Sequence, residues 1–237
     1  MKHLFRLIYN EDIKLYLQRS TQAMLASLIA LTIFSAFIMR IYAIAPEKQG
    51  IWGAMSGELW LMFFINIFSI SIASGIVANE FNWGTIKFLL IRPFSRSKIL
   101  LSKYITVIIF SALLTFLLFI FSFATNSLLY TNNLGNQGFS DILMLFLLKY
   151  PEIFMYSTIA FMLSVLSKSS SLALGFSLVI VFIGPIIAYY LPNKYLLFSN
   201  VDLTRGDLRF SIAILLIYTI IFNFISWIIF LKRDITR

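Results

Sequence analysis

The chain has no cysteine and a single histidine. The first absence excludes disulfides, thiolate metal sites and a cysteine nucleophile. The second excludes a His-x-x-x-His zinc site, and because His3 lies in the polar N-terminal segment it also excludes a Ser–His pair inside a membrane. No Gly-x-x-x-x-Gly-Lys-[Ser/Thr] stretch occurs, so the chain cannot cradle nucleotide phosphates by that route. No run of acidic residues marks a cation site. Charge itself is scarce, at 12% of residues against about 25% in a soluble domain. What fills the space is apolar: 60% of residues are hydrophobic and 17% aromatic.

That composition, with apolar runs of about 20 residues, defines an all-α integral membrane protein rather than a soluble one. Residues 2–19 are too polar to span. As a helix they place His3, Arg6, Asn10, Lys14 and Gln18 on one face and Leu4, Phe5, Ile8, Leu15 and Tyr16 on the other, the pattern of an amphipathic helix lying in the interface plane. Residues 1–20 are therefore expected to form an N-terminal elbow helix, and 21–237 a six-span bundle. The expected spans are Thr21–Ala45, Gly57–Asn79, Ile105–Leu128, Ile142–Leu166, Leu172–Tyr190 and Phe210–Leu231. Ala43-Ile44-Ala45 resembles a cleavage site, but the preceding apolar stretch is too long for a signal peptide, so the first span is expected to stay. Pro151 suggests that the fourth span begins as an interfacial segment and crosses only after it, and Gly184-Pro185 suggests a kink in the fifth. Residues 191–209, half apolar and half charged, are expected to dip into the outer interface.

Six spans bring both termini to one side. Thirteen of the 19 basic residues fall on that side, with four acids, and six basic residues with six acids fall on the other. The positive-inside rule then places both termini, and the connector between spans two and three, in the cytoplasm of a cell membrane. The net charge of +9 is accounted for by topology, so it gives no support to nucleic-acid binding.

Few charged residues remain inside the spans. Asn66, Ser69 and Ser74 on span two form either a helix-packing face or a polar stripe along a translocation path. Lys149 and Glu152, at i and i+3, are a candidate ion pair at the start of a helix. Glu58, Asp141 and Glu152 are all expected near outer ends. Span cores so poor in charge argue against an ion-coupled carrier and against an intramembrane enzyme.

The connector Glu80–Tyr104, "EFNWGTIKFLLIRPFSRSKILLSKY", is richer than solubility requires. As a short helix it aligns Trp83, Ile86 and Leu90 on one face, with Phe88 and Leu89 adding to an apolar cluster. Gly84 gives room for a tight turn or a close backbone approach, Pro93 stops the helix, and Ser95 or Ser97 can cap its restart. Two readings stand on physics alone: a knob for a partner protein, or a loop lying on headgroups.

The pattern Glu80-x-x-x-Gly84-Thr85-x-x-x-Leu89-Leu90-x-x-Pro93-x-Ser95-Arg96-x-Lys98-Ile99-Leu100-Leu101-x-Lys103 resembles the first cytoplasmic loop of type-2 ATP-binding-cassette (ABC) exporter permeases. The resemblance is dense over about 25 residues and extends in topology to the whole chain. Lys87 departs from it, since an acidic residue is common there. The resemblance implies a coupling helix, roughly Asn82–Ile91, seated on a separate ATPase subunit. Glu80, Trp83, Gly84, Thr85, Lys87, Phe88, Leu90 and Arg92 would form hinge and docking surface, and Pro93, Ser95 and Arg96 the stop and restart. It implies two ATPase subunits that carry ATP and Mg, and a second permease chain, identical or not. The implied cargo of small bacterial members is a peptide, toxin or antimicrobial, with drugs or lipid-linked material next. A non-transporting immunity or scaffold protein is the alternative from another class.

Overall fold

The computed structural model describes residues 2–42, 46–84, 95–130, 138–191, 193–204 and 207–232. Among these every regular element is helical: α1 (Lys2–Leu17), α2 (Arg19–Tyr42), α3 (Pro46–Gly57), a 3-10 turn (Glu58–Leu61), α4 (Met62–Asn82), α5 (Arg96–Leu129), α6 (Phe139–Ser167), α7 (Ser170–Tyr190), α8 (Leu197–Asn200) and α9 (Leu208–Lys232). Six helices are long and apolar enough to cross a membrane. They coincide with the six expected spans, because a backbone in hydrocarbon must satisfy its own hydrogen bonds and a helix does so within one segment.

The boundaries differ in instructive ways. The second candidate span reaches back to Gly50 through the 3-10 turn. The third begins at Arg96, well before the expected Ile105, so the basic stretch after the connector is already helical. Proline 151 does not interrupt the fourth span: α6 is one helix from Phe139 to Ser167 with Pro151 inside it. Packing offsets the missing hydrogen bond, since most of the residues that follow, Ile153 and Met155 to Phe161, are buried in the bundle. The turn between the expected fourth and fifth spans is tight, with only Lys168 and Ser169 outside the helices. Lys168 adopts a left-handed backbone (φ 56), and the Ser169 hydroxyl accepts from the Leu172 N–H as α7 starts.

The most enclosed span is the second, and α4 makes its largest contact with α6. Small residues permit this approach: the Ala78 N–H donates across the interface to Ser164 Oγ at 3.0 Å. One apolar core gathers Ile70, Ala73, Val77, Val107, Met155 and Phe161. A second gathers Leu28, Met55, Leu61, Ile65, Phe110 and Leu114. The least enclosed spans are α2, α7 and α9. Their outward Phe34, Phe37, Phe176, Phe182, Ile220 and Phe224 are exposed, as a lipid-facing surface requires. The 191–209 segment is partly drawn into the bundle, with Leu197, Val201 and Leu203 buried. Ser211 Oγ and the Asn200 side chain tie it to α9 at 2.9 Å.

Candidate functional site

The two stems of the connector are held by different means. The incoming stem is the end of α4. Its last turn closes through Trp83 N–H to Asn79 O at 2.9 Å and Gly84 N–H to Phe81 O at 3.2 Å. Gly84 is left-handed (φ 67), and a Cβ there would meet no described residue within 4 Å, so glycine is required by backbone conformation. The expectation of a turn at Gly84 is met. The helix that reaches it, however, is span two itself, so Asn82 ends α4 rather than opening a separate helix. Thr85, Lys87, Phe88, Leu90, Arg92 and Pro93 lie outside the described residues. Trp83 is 70% exposed beside them.

Just inside this stem is a cluster of four charges. Lys103 of α5 is 1% exposed. Its ammonium donates to Glu80 Oε1 at 2.7 Å, Glu11 Oε2 at 2.8 Å and the Ile76 carbonyl at 3.2 Å. Lys14 approaches the same two carboxylates from the surface, at 3.3 Å from Glu11 and 3.6 Å from Glu80. Two cations and two anions share the site, which makes burial of an ammonium tolerable. Burial alone would raise the Glu11 carboxyl, but Lys103 and Lys14 outweigh it and hold the group below its usual 4.5. Three helices meet here: α1, α4 and α5. A cavity of about 530 Å³ opens beside the cluster, between α1, the start of α2 and α4, with Glu11, Lys14, Gln18, Gly75, Glu80 and Trp83 among its walls.

The outgoing stem is held by the last span. Ser95 is extended and its carbonyl accepts from Lys98 and Ile99 as α5 begins, without a side-chain cap. The Arg96 guanidinium donates to the Leu231 carbonyl at 3.1 Å, and the Trp227 indole donates to Ser97 Oγ at 3.0 Å. Glu80 and Arg96 therefore sit on stems fixed to α1 and α5 on one side and α9 on the other.

The candidate polar residues of span two are interior. Asn66, Ser69 and Ser74 are buried, and Ser74 Oγ donates back to the Ser71 carbonyl at 2.9 Å. Asn66 donates to Glu152 Oε1 at 3.4 Å. Lys149 stands 4.0 Å from Glu152 but only 3.0 Å from Asp202, so the pair read from spacing exists as the weaker arm of a triad. Burial would raise Asp202, but Thr204 and Lys149 together hold it below its usual value. Glu152 stands near the middle of α6 and not at its start. Glu58 is expected near an outer end, and its position alone does not say whether it is buried. It is fully buried, accepting from Ser122 and from Asn126 Nδ2 at 3.1 Å. Spacing could not reveal these partners.

Six apolar helices packed around buried polar side chains define, among the described residues, a multi-pass membrane protein. Within that class the chain belongs to the family described as "Protein of unknown function (DUF2705)", which matches residues 13–236. It is 38% identical over 225 residues to the "Uncharacterized protein YhcI" of Bacillus subtilis (strain 168), covering 81% of this chain and 72% of that one. It is 31% identical over 235 residues to the "Uncharacterized membrane protein YdbK" of the same strain, covering 89% and 96%.

Proposed function

We propose that the chain is the membrane-spanning permease subunit of an ATP-driven exporter, powered by ATPase subunits on separate chains. The observation that carries this reading is the anchoring of both connector stems. The incoming stem is tied to α1 and α5 through Lys103, Glu80 and Glu11. The outgoing stem is tied to α9 through Arg96 and Trp227. A load applied to residues 85–94 would reach four helices at once, which is what a docking element needs and an inert loop does not. The basic and apolar residues Lys87, Phe88, Leu90 and Arg92 would meet the ATPase, and Thr85 with Gly84 would form the hinge. A partner moves the bundle only by binding two of its conformations unequally.

In this reading α1 lies on the membrane surface. Phe5, Tyr9, Ile13 and Leu17 are exposed along one stripe at i+4 spacing, while Leu7 and Leu15 are buried against the bundle. The stripe would enter the headgroup region of the cell membrane, with both termini cytoplasmic. Asn66, Ser69 and Ser74 would line a path only when α4 parts from α6. An apolar or amphipathic cargo of peptide or antimicrobial type suits the charge-poor, phenylalanine-rich bundle. A second permease chain completes the assembly.

The test is co-purification of the tagged full chain from its native membrane, followed by mass spectrometry. The expected partner is a chain with a Walker-type ATP site, whose hydrolysis depends on the permease. Recovery of the intact chain with no ATP-binding partner would favour a non-transporting immunity or scaffold role.

A further inference from the structure

A second cavity, of about 680 Å³, lies between α6, the last turn of α7 and the 193–202 segment, at the end of the bundle away from the connector. Its volume is that of a small-molecule site. Among the described residues four charged side chains border it: Lys149, Glu152, Lys194 and Asp202. They are not equally free. Asp202 holds the Lys149 ammonium at 3.0 Å, and Lys194 rests 5.0 Å over the Tyr195 ring. Among the described residues Glu152 is left with one amide hydrogen bond of 3.4 Å and an ammonium 4.0 Å away that is committed elsewhere. A carboxylate offers about four acceptor directions, so this one is under-supplied with donors.

The surplus of acceptors extends behind and beside it. Asn66, whose amide faces Glu152, is 3% exposed, and its Oδ1 has no hydrogen-bond partner among the described residues. The Ser199 hydroxyl on the cavity wall is buried in the same condition. Buried polar groups in native proteins are normally paired, so an unpaired amide oxygen behind a weakly bonded carboxylate points to a missing donor. Tyr156, Tyr189 and Phe198 supply aromatic walls. An under-neutralised carboxylate, unpaired acceptors and π faces are satisfied together by a cation that carries N–H donors.

We propose that this cavity binds a primary ammonium or guanidinium group on an apolar body, with Glu152 as its counter-ion and the aromatic side chains around the body. The site is independent of the power source: it holds whether or not an ATPase drives the chain.

The test is equilibrium binding to the full chain in lipid nanodiscs, with empty nanodiscs as background. Three probes share one body: phenethylamine, phenethyltrimethylammonium and 2-phenylethanol. Phenethylamine should bind saturably, the trimethylated cation about tenfold more weakly because it has no N–H donors, and the alcohol not saturably. Glu152→Gln keeps the shape and removes the charge, and should weaken phenethylamine about tenfold. Ala188→Trp, on the cavity wall, should abolish saturable binding, and it carries the test should Glu152→Gln fail to insert. Equal binding of alcohol and amine, undiminished binding by an inserted Glu152→Gln or Ala188→Trp chain, or no saturable binding by folded wild type would overturn the proposal.

Discussion

Replacing Lys103 with methionine removes the ammonium at the centre of the α1–α4–α5 contact and keeps the length of the side chain. Two charge-assisted hydrogen bonds, at 2.7 and 2.8 Å, and a third to Ile76 O at 3.2 Å are lost together. Glu80 and Glu11 remain, facing the same space, with Lys14 as the nearby cation. The Lys14 side chain is 59% exposed, so its compensation is screened by solvent. The cluster changes from neutral to a net charge of −1. Breaking one partner out of a buried ionic group costs about 3–5 kcal/mol. For a chain of this size that lowers the unfolding midpoint by roughly 6–20 °C. Thermal unfolding of the purified chain in one detergent, wild type against Lys103→Met, reads it directly. The double variant Lys103→Met/Glu80→Gln restores neutrality and should recover about half the loss or more, so the cycle isolates the coupling. A Lys103→Met midpoint within about 2 °C of wild type would refute the cluster as a structural tie, being under the shift expected for about 1 kcal/mol.

Three other outcomes follow from particular residues. Gly84→Pro demands φ near −65° where the chain has +67° and removes the N–H that reaches Phe81 O; on the proposed exporter reading it should leave insertion intact and abolish cargo-stimulated ATP hydrolysis by the complex with the ATPase, measured as phosphate release. Gly184→Ala would bring a Cβ to 2.7 Å from the Phe198 ring and 3.0 Å from Tyr156 Oη; because a ring does not yield as a flexible chain does, the cost should be about 1–3 kcal/mol in denaturant unfolding. Glu11 sits below its usual 4.5, so its tie to Lys103 is complete above that pH and is lost as pH falls through the lowered folded value. Asp12, raised chiefly by burial, acts in the opposite sense, so the comparison is made against Glu11→Gln: hydrogen exchange corrected for intrinsic rates should show α1 losing protection below about pH 4.5 in wild type, with no such step in the variant.

The six helices were legible because hydrocarbon imposes a length and a composition that a sequence displays directly. The turn at Gly84, the 167–171 break and the Lys149–Glu152 proximity were legible because each is local. The continuity of the helix through Pro151 was not legible, because the packing that offsets proline's local penalty involves residues far away in sequence. The ion cluster was not legible because its partners are far apart in sequence: Lys103 lies 23 residues from Glu80 and 92 from Glu11. Glu58 meets Ser122 and Asn126 across 64 and 68 residues. Periodicity assigns a residue to a face; it does not name what that face will meet. One signal did point the right way: an acid inside an apolar span must find a partner, so Glu58 announced a contact without identifying it.

The most direct measurement of the central claim places a photo-crosslinking amino acid at position 87, within the connector, in the full chain in its native membrane. The account predicts a light-dependent adduct with a cytoplasmic chain that binds ATP, weakened by Gly84→Pro. Adducts with lipid alone, from a chain that is correctly inserted, would contradict it.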